Sequence, residues 1–255
     1  MSVRFHIIVP ARLASTRLPR KPLALLGGRA MIVRVLERAR SAGATSVHVA
    51  TDSDEIAAVA AEAGGSVLMT DPSHRSGTDR LAESARALGL GDDEIVVNLQ
   101  GDEPLMPASC LRQVAELLHQ DPVAQMATLW CPLTDEAEWR DPNVVKLVAN
   151  ARGQALYFSR APIPHARDRG FSPATACRHI GLYAYRARAL AAWANLPGSP
   201  LEQAESLEQL RALEAGWTII CARARAEVPA GIDTVEDLAR VQALFAAEAQ
   251  LVVGE

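Results

Sequence analysis

Residues 5–21 read Phe-His-Ile-Ile-Val-Pro-Ala-Arg-Leu-Ala-Ser-Thr-Arg-Leu-Pro-Arg-Lys. Phe5 to Val9 is a short apolar run of the kind that forms a strand buried on both faces. The segment after it is not a helix: Pro10 and Pro19 disfavour one. Four cations, Arg12, Arg17, Arg20 and Lys21, fall within ten positions. A buried first strand that opens into a cationic, small-residue loop fits an α/β sheet with an anion site at the carboxyl end of strand one. Arginine holds phosphate oxygens bidentately, and lysine supplies a compact charge. The loop is neither Gly-x-x-x-x-Gly-Lys-Ser/Thr nor Gly-x-Gly-x-x-Gly, which speaks against a P-loop NTPase and a dinucleotide fold. A doubly wound methyltransferase or dehydrogenase would need a Gly-rich loop here.

Outward from this stretch, short apolar runs alternate with helical patterns. Helices are expected over 31–42 (Ile32, Val35, Leu36 and Ala39 on one side), 54–63, 78–88 and 108–118, and strands over 47–50, 67–69, 94–99 and 126–130. Gly43 and Gly64-Gly65 stop the first two helices. This rhythm predicts an α/β fold: a Rossmann-like, mostly parallel sheet with helices on both faces. Ligands then sit beyond the strands' carboxyl ends, on Pro10–Lys21, Thr51-Asp52, Thr70–Gly77 and Gln100–Pro104. After about residue 140 the rhythm changes. A hairpin is expected over 144–158, a mobile loop over 162–178, a strand over 179–185, one amphipathic helix over 201–215, a strand over 218–222 and a helix over 234–249 capped by Thr234. We read residues 1–255 as one domain, with about 140–216 a small β-containing embellishment over the site.

Bulk properties narrow the class. The chain has 255 residues, 49% of them hydrophobic, and a net charge of −4. That suffices for a sizeable core and gives no global attraction to nucleic acid or an anionic membrane. Cys110, Cys131, Cys177 and Cys221 are too widely spaced for a zinc or disulfide pattern. We expect no membrane insertion and a cytoplasmic protein, because apolar runs are too short for a leader or anchor.

Three further segments carry chemistry. In Asn98-Leu99-Gln100-Gly101-Asp102-Glu103-Pro104 a strand ends in Gly-Asp, and a hard carboxylate oxygen there suits Mg²⁺ on a polyphosphate. Asp233, before the last helix, is either a second metal ligand or a helix-capping acid; alone it favours the cap. Ser76-Gly77, between a strand and a helix, either present backbone to a base edge or simply cap the helix.

Taken in order, these segments resemble the sugar-acid nucleotidyltransferases, and among them the 3-deoxy-manno-octulosonate (Kdo) cytidylyltransferases, from Ile7 to about Val241. The most specific stretches are residues 10–19, 98–104, 155–164 (Ala-Leu-Tyr-Phe-Ser-Arg-Ala-Pro-Ile-Pro), 178–186 (Arg-His-Ile-Gly-Leu-Tyr-Ala-Tyr-Arg) and 207–211 (Leu-Glu-Gln-Leu-Arg). The resemblance implies an Mg²⁺-dependent enzyme, a homodimer, that transfers CMP from CTP to Kdo for lipopolysaccharide synthesis. It implies that Ala11, Arg12, Ser15, Arg17, Lys21, Ser76, Gly77, Gln100 and Asp102 bind the nucleotide. Gln100, Arg160, His179, Tyr183, Glu208 and Gln209 would face the sugar acid, with Arg160 on its carboxylate. Asp102 and Asp233 would hold the metal, and these two with Arg12 and Lys21 would be catalytic. Arg20 stands where the family commonly has Gly, and Arg75 where Gln is usual; residues 165–177 match poorly and receive no role. Rival readings are a cytidylyltransferase for 8-amino-Kdo or sialic acid, and a non-catalytic nucleotide-binding protein.

Overall fold

The computed structural model describes residues 3–14, 18–74, 76–168 and 170–253, with residues 247–253 by backbone alone. In chain order the elements are β1 (Phe5–Ala11), a 3₁₀ turn (Lys21–Leu23), the two-residue strands β2 (Leu25–Leu26) and β3 (Arg29–Ala30), α1 (Met31–Ser41), β4 (Ser46–Thr51), α2 (Asp54–Glu62), β5 (Ser66–Met69) and α3 (Gly77–Ala87). The chain continues through β6 (Ile95–Asn98), α4 (Ala108–Gln120), β7 (Met126–Pro132), α5 (Glu136–Arg140), β8 (Lys146–Ala149), β9 (Ala155–Ser159), β10 (Cys177–Arg186), α6 (Ala187–Trp193), α7 (Pro200–Glu205), α8 (Gln209–Glu214), β11 (Ile219–Arg223) and α9 (Val235–Val253).

The main sheet runs β11-β7-β10-β6-β1-β4-β5, with β8 pairing β10 and β9 pairing β8. Every residue of β1 is buried. Alternation decides which layer each joins: Ile7 and Val9 pack with Ile32, Val35 and Leu36 of α1 and Val114 of α4, while Ile8 packs with Leu81 of α3 and Leu190 of α6. An apolar run without polar alternation thus has a helix layer on each side, each such side chain contributing about 1.5–3 kcal/mol on burial. β1, β4, β5 and β6 are parallel, as is the β7–β11 pair. Gly43 closes α1 at φ +74, a conformation that costs a residue with a Cβ.

Three features differ from the sequence expectation. The strand over 179–185 is not an accessory: β10 lies at the sheet's centre, antiparallel to both β6 and β7. The region 140–216 therefore supplies part of the sheet itself. The single helix over 201–215 is two, because Ser206 adopts φ 52, and this left-handed residue ends α7. Leu207 and Glu208 then lead into α8, with Glu208 at its N-cap. Lastly, α5 and α6, both short, carried no strong periodic signal. The loop over 162–178 has its own small core, in which Leu133, Trp139 and Ala176 are buried against Phe171 and Val144, and Trp139 Nε1 donates to the Ile163 carbonyl at 3.1 Å.

Candidate active site

A cleft of about 610 Å³ opens at the carboxyl ends of β1 and β6. Pro10, Ala11 and Arg12 enter it from β1, Gln100, Gly101 and Asp102 from the turn after β6, and Ser76, Gly77 and Thr78 from the start of α3. His179 and Tyr183 enter from β10, Glu208 and Gln209 from the α7–α8 break, and Lys21 and Asp233 close one end. Ser15, Arg17 and Arg75 lie outside the described residues. The loop after β4 does not reach the cleft: Asp52 accepts from the Arg80 guanidinium at 2.9 Å.

At the closed end Lys21 Nζ donates to Asp102 Oδ2 at 2.6 Å and to Asp233 Oδ1 at 3.0 Å. Burial opposes the lysine's charge, but the two carboxylates outweigh it and raise its pKa above the usual lysine value. Two acids 131 positions apart in sequence therefore share one cation, because the turn after β6 and the segment before α9 are joined by backbone: Ile232 N–H donates to the Asp102 carbonyl at 3.1 Å. Gly101 is needed for closeness, since a Cβ there would stand 3.0 Å from the Pro10 carbonyl. The capping alternative for Asp233 is resolved as well. Thr234 Oγ1 accepts from Asp237 N at 3.1 Å, and Asp237 Oδ2 accepts from Asp233 N. Asp237 and Thr234 cap α9, and the Asp233 side chain turns to Lys21.

Glu103, not singled out in the sequence, lies beside this pair. Burial, together with the charges of Asp102 and Asp233, pushes its carboxyl up to about 8. Arg20 has φ 56, a left-handed conformation that suits glycine better than a residue with a Cβ. Its guanidinium pairs with Glu55 on α2 and does not line the cleft. At α3 the capping reading of Ser76 holds, and its turn also faces the cleft. Ser76 Oγ accepts from Asp79 N at 3.1 Å and Asp79 Oδ2 accepts from Ser76 N at 3.2 Å, a complete capping box, and the same turn lines the cleft.

The other end of the cleft is aromatic, with one carboxylate, Glu208. Thr128 Oγ1 lies 2.8 Å from the Leu182 carbonyl and 3.0 Å from His179 Nε2. A single hydroxyl proton given to the carbonyl leaves the oxygen to accept from Nε2–H. The His179 ring packs against Phe158 and Tyr183 at centroid distances of 4.9 and 5.2 Å. Burial lowers the His179 pKa to about 3, so its ring is neutral. The Tyr183 hydroxyl and Asn98 Oδ1 are buried without a hydrogen-bond partner among the described residues. Glu208 projects into the cleft and accepts from Thr78 Oγ1 at 2.9 Å.

Arg160 is not brought to the cleft. Its guanidinium donates to the carbonyls of Glu205 (2.7 Å), Pro142 (2.9 Å) and Ser206 (3.4 Å). It braces the α7–α8 break from behind. Lys146, fully buried, does similar work on the carbonyls of Asp141, Val144 and Arg160, at 2.8, 2.5 and 2.7 Å. Neither role had a sequence signal, since each depends on carbonyls distant in the chain.

A cationic loop after strand one, faced by one carboxylate beyond the tip of β6 and a second from the segment before α9, defines a class: α/β enzymes that hold a nucleoside polyphosphate across the carboxyl edge of the sheet. A family model described as cytidylyltransferase matches residues 6–220, and the chain belongs to that family. A 3-deoxy-manno-octulosonate cytidylyltransferase of Polynucleobacter necessarius is 53% identical over 244 residues, covering 95% of this chain and 96% of the relative. The enzyme of that name from Polynucleobacter asymbioticus is 50% identical over 242 residues, with 94% and 95% covered. Among solved structures, a CMP:2-keto-3-deoxy-manno-octonic acid synthetase complexed with CTP superposes with a TM-score of 0.89 at 42% identity, covering 97% of this chain and all of that one.

Proposed function

We propose that this chain transfers CMP from CTP to the anomeric hydroxyl of Kdo, releasing pyrophosphate. The observation that carries the reading is the junction of Lys21 with Asp102 and Asp233 at one end of a cleft whose other end presents the polar groups of His179, Tyr183, Glu208 and Gln209. One end suits a triphosphate and its counter-charge, the other a polyhydroxy acid. The two Polynucleobacter enzymes and the CTP-bound synthetase, similar over nearly the whole chain, support the choice of CTP and Kdo.

In this reading Arg12 and Lys21 hold the phosphates and stabilise the charge that gathers as pyrophosphate leaves. The anomeric oxygen bonds to the α-phosphorus while the bond to pyrophosphate breaks, in line and without a covalent enzyme intermediate. Gln100, His179, Tyr183, Glu208 and Gln209 orient the sugar acid, and Ser76 and Gly77 the nucleotide. Asp102 and Asp233 would hold Mg²⁺. Their fit to it is chemical: two hard carboxylate oxygens already converge on one cation, and Mg²⁺ takes its remaining ligands from water and phosphate. When bound, the ion would supply Lewis acidity at the reacting oxygens.

We read the whole chain as one domain, cytoplasmic, and a homodimer; exposed Leu156 on β9 and Leu201 on α7 are compatible with a partner surface. No helix among the described residues is long and apolar enough to cross a membrane. Lipopolysaccharide assembly is the proposed use of the product. The test is pyrophosphate release from CTP and Mg²⁺ with Kdo, 8-amino-Kdo and N-acetylneuraminate offered in parallel. Release with Kdo supports the reading. Release only with another sugar acid moves the specificity, and none with any refutes it.

A further inference from the structure

Thr78 belongs to neither half of the cleft as the sequence divides it, yet it joins them. It sits in the first turn of α3, directly after the Ser76-Gly77 turn on the nucleotide side. Its side chain is buried, with 3% of the residue exposed. Its hydroxyl reaches across the cleft to Glu208, 130 positions away, at 2.9 Å. The Tyr185 hydroxyl lies beside it, and Asn98 beside Tyr185. On the far side Arg160 grips the carbonyls of Glu205 and Ser206, so the backbone leading to Glu208 is fixed from behind. The nearest cation of α8, Arg211, is occupied: it makes a bidentate pair with Glu202 at 2.6 and 2.7 Å. No ion pair to Glu208 occurs among the described residues. Its carboxylate is therefore oriented by one hydroxyl and keeps its other lone pairs directed at the cleft.

We propose that Thr78 is a positioning residue for the sugar-acid half of the reaction: its hydroxyl holds Glu208 ready to accept a substrate hydroxyl. The inference rests on the Kdo reading. A glutamate free to rotate must give up rotamer entropy when it engages a ligand, and a fixed hydrogen bond to a rigid helix start removes part of that cost beforehand. The same bond makes the α3 start and the α8 start one mechanical unit. Anything that seats the nucleotide against Ser76-Gly77 then steadies the sugar site.

The test is a set of variants of the full chain: Thr78→Val, Thr78→Ser, Glu208→Gln and the Thr78→Val/Glu208→Gln pair. KM for Kdo and for CTP are measured by pyrophosphate release, and thermal midpoints confirm folding. Thr78→Val is expected to raise KM for Kdo about tenfold, the worth of one hydrogen bond to a charged group, and to move KM for CTP less than about twofold. Thr78→Ser keeps the hydroxyl and should restore Kdo KM; a merely structural role for the methyl would not be rescued this way. In the Glu208→Gln background Thr78→Val should add little, since both act through one contact. If Thr78→Val does not fold, Thr78→Ala carries the same comparison. Unchanged Kdo KM, equal rises in both KM values, or additivity with Glu208→Gln overturns the proposal. A wild-type chain inert with Kdo overturns the functional reading itself, a result distinct from an active wild type with an indifferent Thr78→Val.

Discussion

Replacing Lys21 with Met tests whether the closed end of the cleft is an electrostatic device. Lys21 is 10% exposed in its side chain, while Asp102 and Asp233 are 37% and 53% exposed. Without the ammonium, two carboxylate oxygens held 2.6 and 3.0 Å from one nitrogen stand at most about 5.6 Å apart, and their repulsion is about 3 kcal/mol at an effective dielectric near 20 but under about 1 kcal/mol if water screens them fully. Half-exposed acids lie towards the lower figure, to which the lost charged hydrogen bonds add, so Lys21→Met should cost about 1–3 kcal/mol. For a chain of this length each kcal/mol moves Tm by about 2–4 °C, giving a drop of roughly 2–12 °C. The assay is thermal unfolding of Lys21→Met, Asp102→Asn and the double variant. Asp102→Asn should lower Tm in the wild type, where it weakens the lysine's partner, yet raise it in Lys21→Met, where it removes repulsion. MgCl₂ should raise Tm of Lys21→Met more than that of the wild type. Turnover should fall about 10²–10³-fold with the phosphate contact gone. Asp102→Asn effects of the same sign and size in both backgrounds would refute the reasoning.

Other outcomes rest on the same geometry. Asp102→Asn should lower kcat far more than it weakens CTP binding measured by calorimetry, because its proposed work lies at the reacting phosphate; near-normal turnover at matched Mg²⁺ would remove that role. His179 is neutral in the fold with its pKa lowered to about 3, so the stability tied to it is present above about pH 6.5 and is lost as pH falls towards 3. Urea unfolding from pH 7 to 4 should accordingly show a shallower acid decline in His179→Asn. Arg20→Gly should relieve the left-handed conformation at φ 56 and raise Tm by a few degrees, on the order of 1 kcal/mol after glycine's own entropy cost; a lower Tm would mean that the Glu55 pair outweighs it. Arg160→Ala should lower Tm by leaving the Glu205, Pro142 and Ser206 carbonyls without their donor, and Arg160→Lys should restore little of it, since one ammonium cannot replace the fork.

The features legible in the sequence are the local ones. β1 and its loop, the alternation through β7 and the caps at Gly43 and Thr234 all arise from patterns a few residues long. So do Lys21, Asp102 and Asp233 as candidates, although only the fold could decide between capping and cleft for Asp233. The features that escaped are non-local. Nothing in residues 177–186 says that they enter between β6 and β7, since an apolar strand fits a central or an accessory position equally. The break at Ser206 was hidden because 201–215 keeps its apolar spacing across it. The carbonyls that Arg160 meets could not be read from its own stretch, since those of Glu205 and Ser206 lie 45 and 46 positions away. Thr78 passed as an ordinary helix-start residue, its partner being 130 positions away.

The central place of β10 has a consequence for how the molecule is made. Strands β6, β1, β4 and β5 can join as soon as they leave the ribosome, but β7 touches them only through β10, which is synthesised some 50 residues later. During that interval β7 and the free edge of β6 present unpaired backbone, the very condition that invites one nascent chain to pair with its neighbour. A chain interrupted anywhere between residues 132 and 177 would carry both open edges and half a cleft, and proteases and chaperones would meet it as a fragment with no way to finish. Joining the two parts of the sheet and starting the cleft's aromatic wall are therefore the same event, since the strand that fills the gap also delivers His179 and Tyr183.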